Sequence, residues 1–272
     1  MDSLIANGEI LKSTAYVPFR SEDSVLLAQK IWFGHGGIPL FSKNIEVVKQ
    51  QLEVLQSPVP ALFDNEKEFY RITKRLLNRL RCFRSGIINL HVFAARSETN
   101  FLITVEAFDE FDFPLSKQGI MIGFAEQVKF SKNPLARHAF YNTPLWKTTA
   151  GAENNACKNM VFLNENGFVT DCMGANIFGV KKGEIITPAT ETGCYSDVLR
   201  ELIIDASIEI RLKINETTKL KKEDLLLMDE IFLASEATGI EWIMGIGNKR
   251  FVHSVSGKVQ ARLNEDLKEM AR

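Results

Sequence analysis

Residues 159–188 read NMVFLNENGFVTDCMGANIFGVKKGEIITP, four short apolar strand patterns divided by turn chemistry. Asn166-Gly167 and Lys182-Gly183 stand between apolar runs, where residues that tolerate positive φ close tight hairpins. This stretch fixes a strand-rich second half for the chain. It is followed by TGCYSDVLRELI, residues 192–203, in which a glycine and a cysteine lead into a helical apolar pattern. A helix start is a natural anion site, because its unpaired N–H groups and its dipole both attract negative charge. Here Asp197 already stands at that start and offsets the dipole itself.

The first half is organised differently. SKNIEVVKQQLEVLQ puts Ile45, Val48, Leu52 and Leu55 at helical spacing, and NEKEFYRITKRLLNRLRCF does so with Phe69, Ile72, Leu76, Leu80 and Phe83, with Asp64 as the expected cap. Both helices carry charge on the opposite face and should lie on a sheet, which GIINLHVFAA and NFLITVEAF supply as strands. His91 falls within the first of these and reads as a sheet-face side chain. DEFDFPLSKQG, residues 109–119, changes composition, carries a proline and reads as a linker. Beyond it come the strand IMIGFAEQVKF and a helix expected to start near Asn142 or Thr143, with Pro144 in its first turn. KEDLLLMDEIFLAS then reads as a helix and a strand. The result is two α+β halves, assigned as domains 1–112 and 113–272.

Several function classes drop out. The 272 residues carry 33 Lys and Arg against 34 Asp and Glu, a net charge of −1 without a long basic run, so neither nucleic acid nor an anionic membrane is favoured as partner. No apolar stretch has the length of a membrane span, and the first residues lack a signal-peptide profile, so a cytoplasmic protein is expected. Cys82, Cys157, Cys172 and Cys194 form no CxxC, and His35, His91, His138 and His253 are scattered, so no metal site is expected.

Residues 164–203, NENGFVTDCMGANIFGVKKGEIITPATETGCYSDVLRELI, resemble the fold-type IV, class IV aminotransferases, which depend on pyridoxal phosphate. The ordered features are a hairpin, an acid, Ala-Asn-Ile-Phe, a second hairpin, Thr-Pro, Gly-Cys and a helix opened by Val-Leu-Arg. MDEIFLASEATGI is similar to the family's closing strand and phosphate loop, and GGIPLFSKNIEVVKQ is a fainter echo of its N-terminal signature. GFVTDCMGANIF is nearest in wording to aminodeoxychorismate lyases, with branched-chain and D-amino-acid transaminases next. The resemblance implies a small N-terminal α/β domain, a larger C-terminal pseudo-barrel, and a homodimer holding the cofactor between domains.

It also implies site residues. Asp171 takes the place of the family's glutamate, which keeps the pyridine nitrogen protonated so that the ring can act as an electron sink. Asn176 follows at the family's spacing. Val198 and Leu199 occupy the positions whose amides bind phosphate, but the preceding glycine has become Asp197, and Glu236 stands where a small hydroxyl residue is usual. Lys49 matches the basic residue that reaches the phosphate, without arginine's bidentate fork. For the Schiff-base lysine two registers are open. NPLARHAFYN matches without a gap and puts Ala139 at the position, whereas PLWKTTAG puts Lys147 there after the following helix is shortened by about two turns, roughly 11 Å. The helix-start signal before Lys147 favours the first register.

Three functions follow. In the first, a pyridoxal-phosphate enzyme with Lys147 as nucleophile and base acts on an amino acid or on aminodeoxychorismate. The second is a family member without the cofactor that serves as a binding or regulatory dimer. The third is a pocket that takes a different, less anionic ligand.

Overall fold

The computed structural model describes residues 3–15, 25–95, 98–152 and 159–272; Cys157 lies outside the described residues. The chain divides into two compact units, Met1–Phe113 together with Leu267–Arg272, and Pro114–Asp266.

In the first unit β1 (Ser3–Ala6), β2 (Glu9–Lys12), β3 (Val25–Phe33), β4 (Ser85–Ala95) and β5 (Glu98–Phe108) form an antiparallel sheet of order β2-β1-β5-β4-β3. The helices are α1 (Phe41–Val54), α2 (Ala61–Asp64) and α3 (Glu66–Arg79). Their apolar stripes make the helix–sheet seam. Phe63 stacks on Phe69 with centroids 4.8 Å apart, and Phe101 of β5 lies 5.0 Å from Phe63. The cap of α3 is Asn65, whose side chain accepts from the Glu68 N–H, and not the expected Asp64, which ends α2. His91 is half-buried in β4, and burial lowers its pKa.

The second unit holds a nine-stranded sheet. Its elements in chain order are β6 (Ile120–Lys129), α4 (Ala139–Ala152), β7 (Asn159–Asn164), β8 (Val169–Cys172), β9 (Asn176–Lys181), β10 (Glu184–Pro188), α5 (Val198–Glu209), β11 (Lys213–Thr217), α6 (Lys222–Leu226), β12 (Glu230–Ser235), β13 (Gly239–Ile246), β14 (Lys249–Arg250) and α7 (Val255–Met270). The order is β11-β10-β9-β12-β13-β6-β7-β8, with β14 on β13. The sheet curls as the pseudo-barrel expectation requires: a Phe168–Lys221 bridge and the Val169 N–H to Leu220 carbonyl bond of 2.7 Å tie the start of β8 to the segment before α6. Ile122, Val161, Val169, Ile177, Ile231 and Ile243 fill the interior.

Both hairpins form where their turn residues predict. Gly167 has φ +76° between β7 and β8, and Lys182 and Gly183 have φ +51° and +78° between β9 and β10. The helix containing Pro144 differs from expectation: α4 begins at Ala139, so Pro144 is inside it and not in its first turn. The missing proline N–H weakens the ladder. Side chains stabilise the early turns instead, with Thr143 Oγ1 donating to the Ala139 carbonyl at 2.8 Å and Asn142 Nδ2 to those of Ala136 and His138 at 2.6 and 2.8 Å. Among the described residues no helix is long and apolar enough to cross a membrane.

Candidate functional site

The conspicuous polar cluster of the second unit lies around the start of α5. Asp171, on β8, is fully buried, and its Oδ2 accepts from the Lys129 ammonium and from the Tyr195 N–H. Lys129 ends β6 with 3 % exposure. Since β8 is two strands away from β6, the two side chains together bridge roughly 9–10 Å across β7. The backbone of Lys129 is fixed by pairing with Asn164 and by the Glu165 N–H donating to its carbonyl at 3.1 Å. Gly193 completes this packing: it has φ +80°, and a Cβ there would lie 2.9 Å from Ser131 Cα.

Asp197 is the N-cap of α5. Its Oδ1 accepts from the Arg200 N–H at 3.1 Å and from Asn176 Nδ2 at 2.7 Å, and the Glu236 backbone N–H also points to this carboxylate. Residue 197 keeps a little solvent contact while protein surrounds its carboxylate, and burial raises its pKa to about 6 against the pull of these donors. Burial likewise raises the pKa of Asp171, opposed by Lys129 and the Tyr195 N–H. Burial, with the carboxylates of Asp197, Glu236 and Asp171 nearby, holds the Tyr195 phenol protonated well above its ordinary range. The Tyr195 ring meets Trp146 of α4 edge-on at 5.2 Å. Arg200 is turned away from this group, donating to the Pro188 carbonyl at 2.7 Å and pairing with Glu216 at 2.8 Å. The Cys172 and Cys194 thiols are buried and pushed up in pKa, as unreactive core thiols are. Among the described residues no group of His, Cys, Asp and Glu side chains could hold a metal ion.

Asp171, Asn176, Val198 and Leu199 are all buried in this unit; Asp171 is hydrogen-bonded to Lys129 and the Tyr195 N–H, and Asn176 separately to Asp197. Lys147 is on an exposed face in the middle of α4, while Ala139 opens that helix. Lys49 belongs to the first unit, where its ammonium is 2.7 Å from Asp64. The lysine in contact with Asp171 is therefore Lys129, a residue that sequence reasoning missed together with Tyr195 and Trp146. The β6–β7 register shifts between Phe124 and Val128, and after it Val128 is 49 % exposed while Lys129 is inside. Strand alternation would put the valine in and the lysine out, so the sequence signal pointed the wrong way.

The family model described as amino-transferase class IV matches residues 53–243. That match covers most of the chain and establishes the class: the chain belongs to the class IV aminotransferase family. It is 28% identical over 111 residues to a probable branched-chain-amino-acid aminotransferase of Thermotoga maritima, covering 41% of this chain and 40% of that protein, so the alignment spans well under half the length of the relative. Among solved structures, the branched-chain amino acid aminotransferase of Thermobaculum terrenum in its PLP-form superimposes with a TM-score of 0.80 at 18% identity, covering 99% of this chain and 94% of that one. A putative 4-amino-4-deoxychorismate lyase from Legionella pneumophila does so with a TM-score of 0.74 at 16% identity, covering 92% and 96%. At these identities the structural likeness is one of fold.

Proposed function

We propose that this protein is a class IV aminotransferase-fold member that works without pyridoxal phosphate, as a small-molecule-binding protein. The observation that carries the reading is the buried ion pair of Lys129 with Asp171. In the resemblance, Asp171 would face the protonated ring nitrogen; here a side-chain ammonium of the chain itself faces it. A lysine in contact with this carboxylate cannot at the same time serve as the Schiff base, because the aldimine carbon and the ring nitrogen lie at opposite ends of the cofactor.

The other end of the cofactor meets a second obstacle. The Asp197 carboxylate accepts from the Arg200, Asn176 and Glu236 donors that surround the phosphate position of the resemblance. Two unit charges of like sign 4 Å apart repel by about 4 kcal/mol at an effective dielectric constant of 20, and a phosphate carries more than one. With Ala139 in the gapless position of the nucleophile, the residues present do not fit the cofactor. The resemblance also supplies the proposed homodimeric assembly, which sedimentation velocity tests; the proposed cytoplasmic setting rests on the sequence profile alone.

One observation favours the alternative, a pyridoxal-phosphate lyase or transaminase that uses Lys147 on an amino acid or aminodeoxychorismate. Asp171 Oδ1 is buried without a hydrogen-bond partner and could accept from a ring N–H. Incubation with pyridoxal phosphate, borohydride reduction and peptide mapping separates the two. The cofactor-free reading expects no aldimine absorption and no reduced adduct; an aldimine band with the reduced adduct on Lys147 would overturn it in favour of the enzyme.

A further inference from the structure

A groove of about 510 Å³ lies in the first unit between the β1–β2 hairpin and α3. Its lining is sorted by chemistry along its length. Gly8 and Glu9 of the hairpin mark one end together with Glu68 in the first turn of α3. That end is fixed by close packing, since a Cβ on Gly8 would lie 3.2 Å from Leu62, in the short helix before α3. Ile10, Leu11 and Ile72 come next, all half-buried. Arg75 and Arg79 hold the far end, about 10–17 Å along the helix from Glu68.

The helix concentrates positive charge at that far end. Arg71, Arg75 and Arg79 follow at i, i+4 and i+8 on one face of α3, and like charges at this spacing repel. Glu68 is committed to Arg71, accepting from its Nε at 2.7 Å and its Nη2 at 2.6 Å. The helix dipole favours a cation in the last turn, at Arg79, but fades before Arg75. A carboxylate can accept from both guanidinium forks and offset the repulsion. The apolar middle of the groove calls for hydrocarbon, because covering half-exposed aliphatic side chains is favourable in proportion to the area removed from water. We propose that this groove binds an alkyl carboxylate, with its charge on Arg75 and Arg79 and its chain over Ile72, Ile10 and Leu11. The inference is independent of the cofactor question, because the groove belongs to the first unit and contains no residue of the polar cluster around α5.

Calorimetric titration of the full chain with octanoate, acetate and 1-octanol in turn tests it. Octanoate should bind saturably at one site per chain. Acetate and 1-octanol should each bind at least about tenfold more weakly, since one lacks the chain and the other the charge. Arg75→Gln and Ile72→Gln should each weaken octanoate by at least about tenfold, the first through the carboxylate and the second through the chain. The two act on different halves of the groove, so misfolding of one leaves the other to decide. No saturable octanoate binding, equal binding of acetate or 1-octanol, or unchanged affinity in either folded variant would overturn the site. Capture by phosphatidylserine vesicles without binding of free octanoate would make the face a membrane contact and overturn it equally.

Discussion

Asn176 Nδ2 donates to Asp197 Oδ1 at 2.7 Å, which joins the asparagine that opens β9 to the carboxylate that caps α5. A strand end and a helix start are thus held together by a side chain of the protein at the place where the family resemblance expects a phosphate. The consequence is electrostatic: the helix start carries its own anion.

That anion should be visible in the pH dependence of stability. The folded pKa of Asp197 is about 6, above its ordinary value of 3.8, so the folded state holds this proton more tightly than the unfolded state does. The contribution to stability is full below about pH 4 and is lost as pH rises to about 6, a change on the order of 3 kcal/mol. Urea unfolding at pH 4 and pH 7 should show this slope reduced in Asp197→Asn. An identical slope in the variant would mean that Asp197 titrates normally.

Lys129 and Asp171 should behave as a buried pair. Removing one partner strands a charge, so Lys129→Met alone should cost about 3–5 kcal/mol. The double variant Lys129→Met, Asp171→Leu should recover most of that loss, because an apolar replacement of both partners is often neutral. Denaturant titration of the wild type and the two variants shows whether the double replacement restores stability, and a neutral single variant would contradict the pair.

Gly193 should resist substitution. At φ +80° with its Cβ position 2.9 Å from Ser131 Cα, alanine is strained and collides with backbone. Gly193→Ala should lose at least about 1–3 kcal/mol in thermal or urea unfolding, whereas Gly183→Ala, at φ +78° with open space around it, should show the conformational cost alone.

Glu230 offers a test remote from the cluster. Its buried carboxylate accepts from the amides of Ser254, Val255 and Ser256, each at 2.8 Å, and so caps α7. Glu230→Ala should destabilise by about 3 kcal/mol, since hydrogen bonds to a charged group are among the stronger ones. Unchanged unfolding would show that water replaces the cap.

The hairpins were legible because Asn166-Gly167 and Lys182-Gly183 carry their conformational preference in the residues themselves. The same holds for α1 and α3, whose apolar spacing decides their buried face. Asp171, Asn176 and Asp197 were legible only through the resemblance and its spacing. Lys129 was not, because its burial depends on a register irregularity in β6 and on a partner 42 residues away. The start of α4 was misplaced because Asn142 and Pro144 read as a helix start, whereas the Asn142 side chain sits inside the helix and donates to the carbonyls of Ala136 and His138 that precede it.

The most direct measurement is a crystal structure of the protein grown with excess pyridoxal phosphate. The crystal should show the Lys129 ammonium on Asp171, the Asp197 carboxylate at the start of α5, and no ring beside either. A pyridine ring against Asp171, with Lys129 displaced and phosphate on the Val198 and Leu199 amides, would contradict the cofactor-free reading.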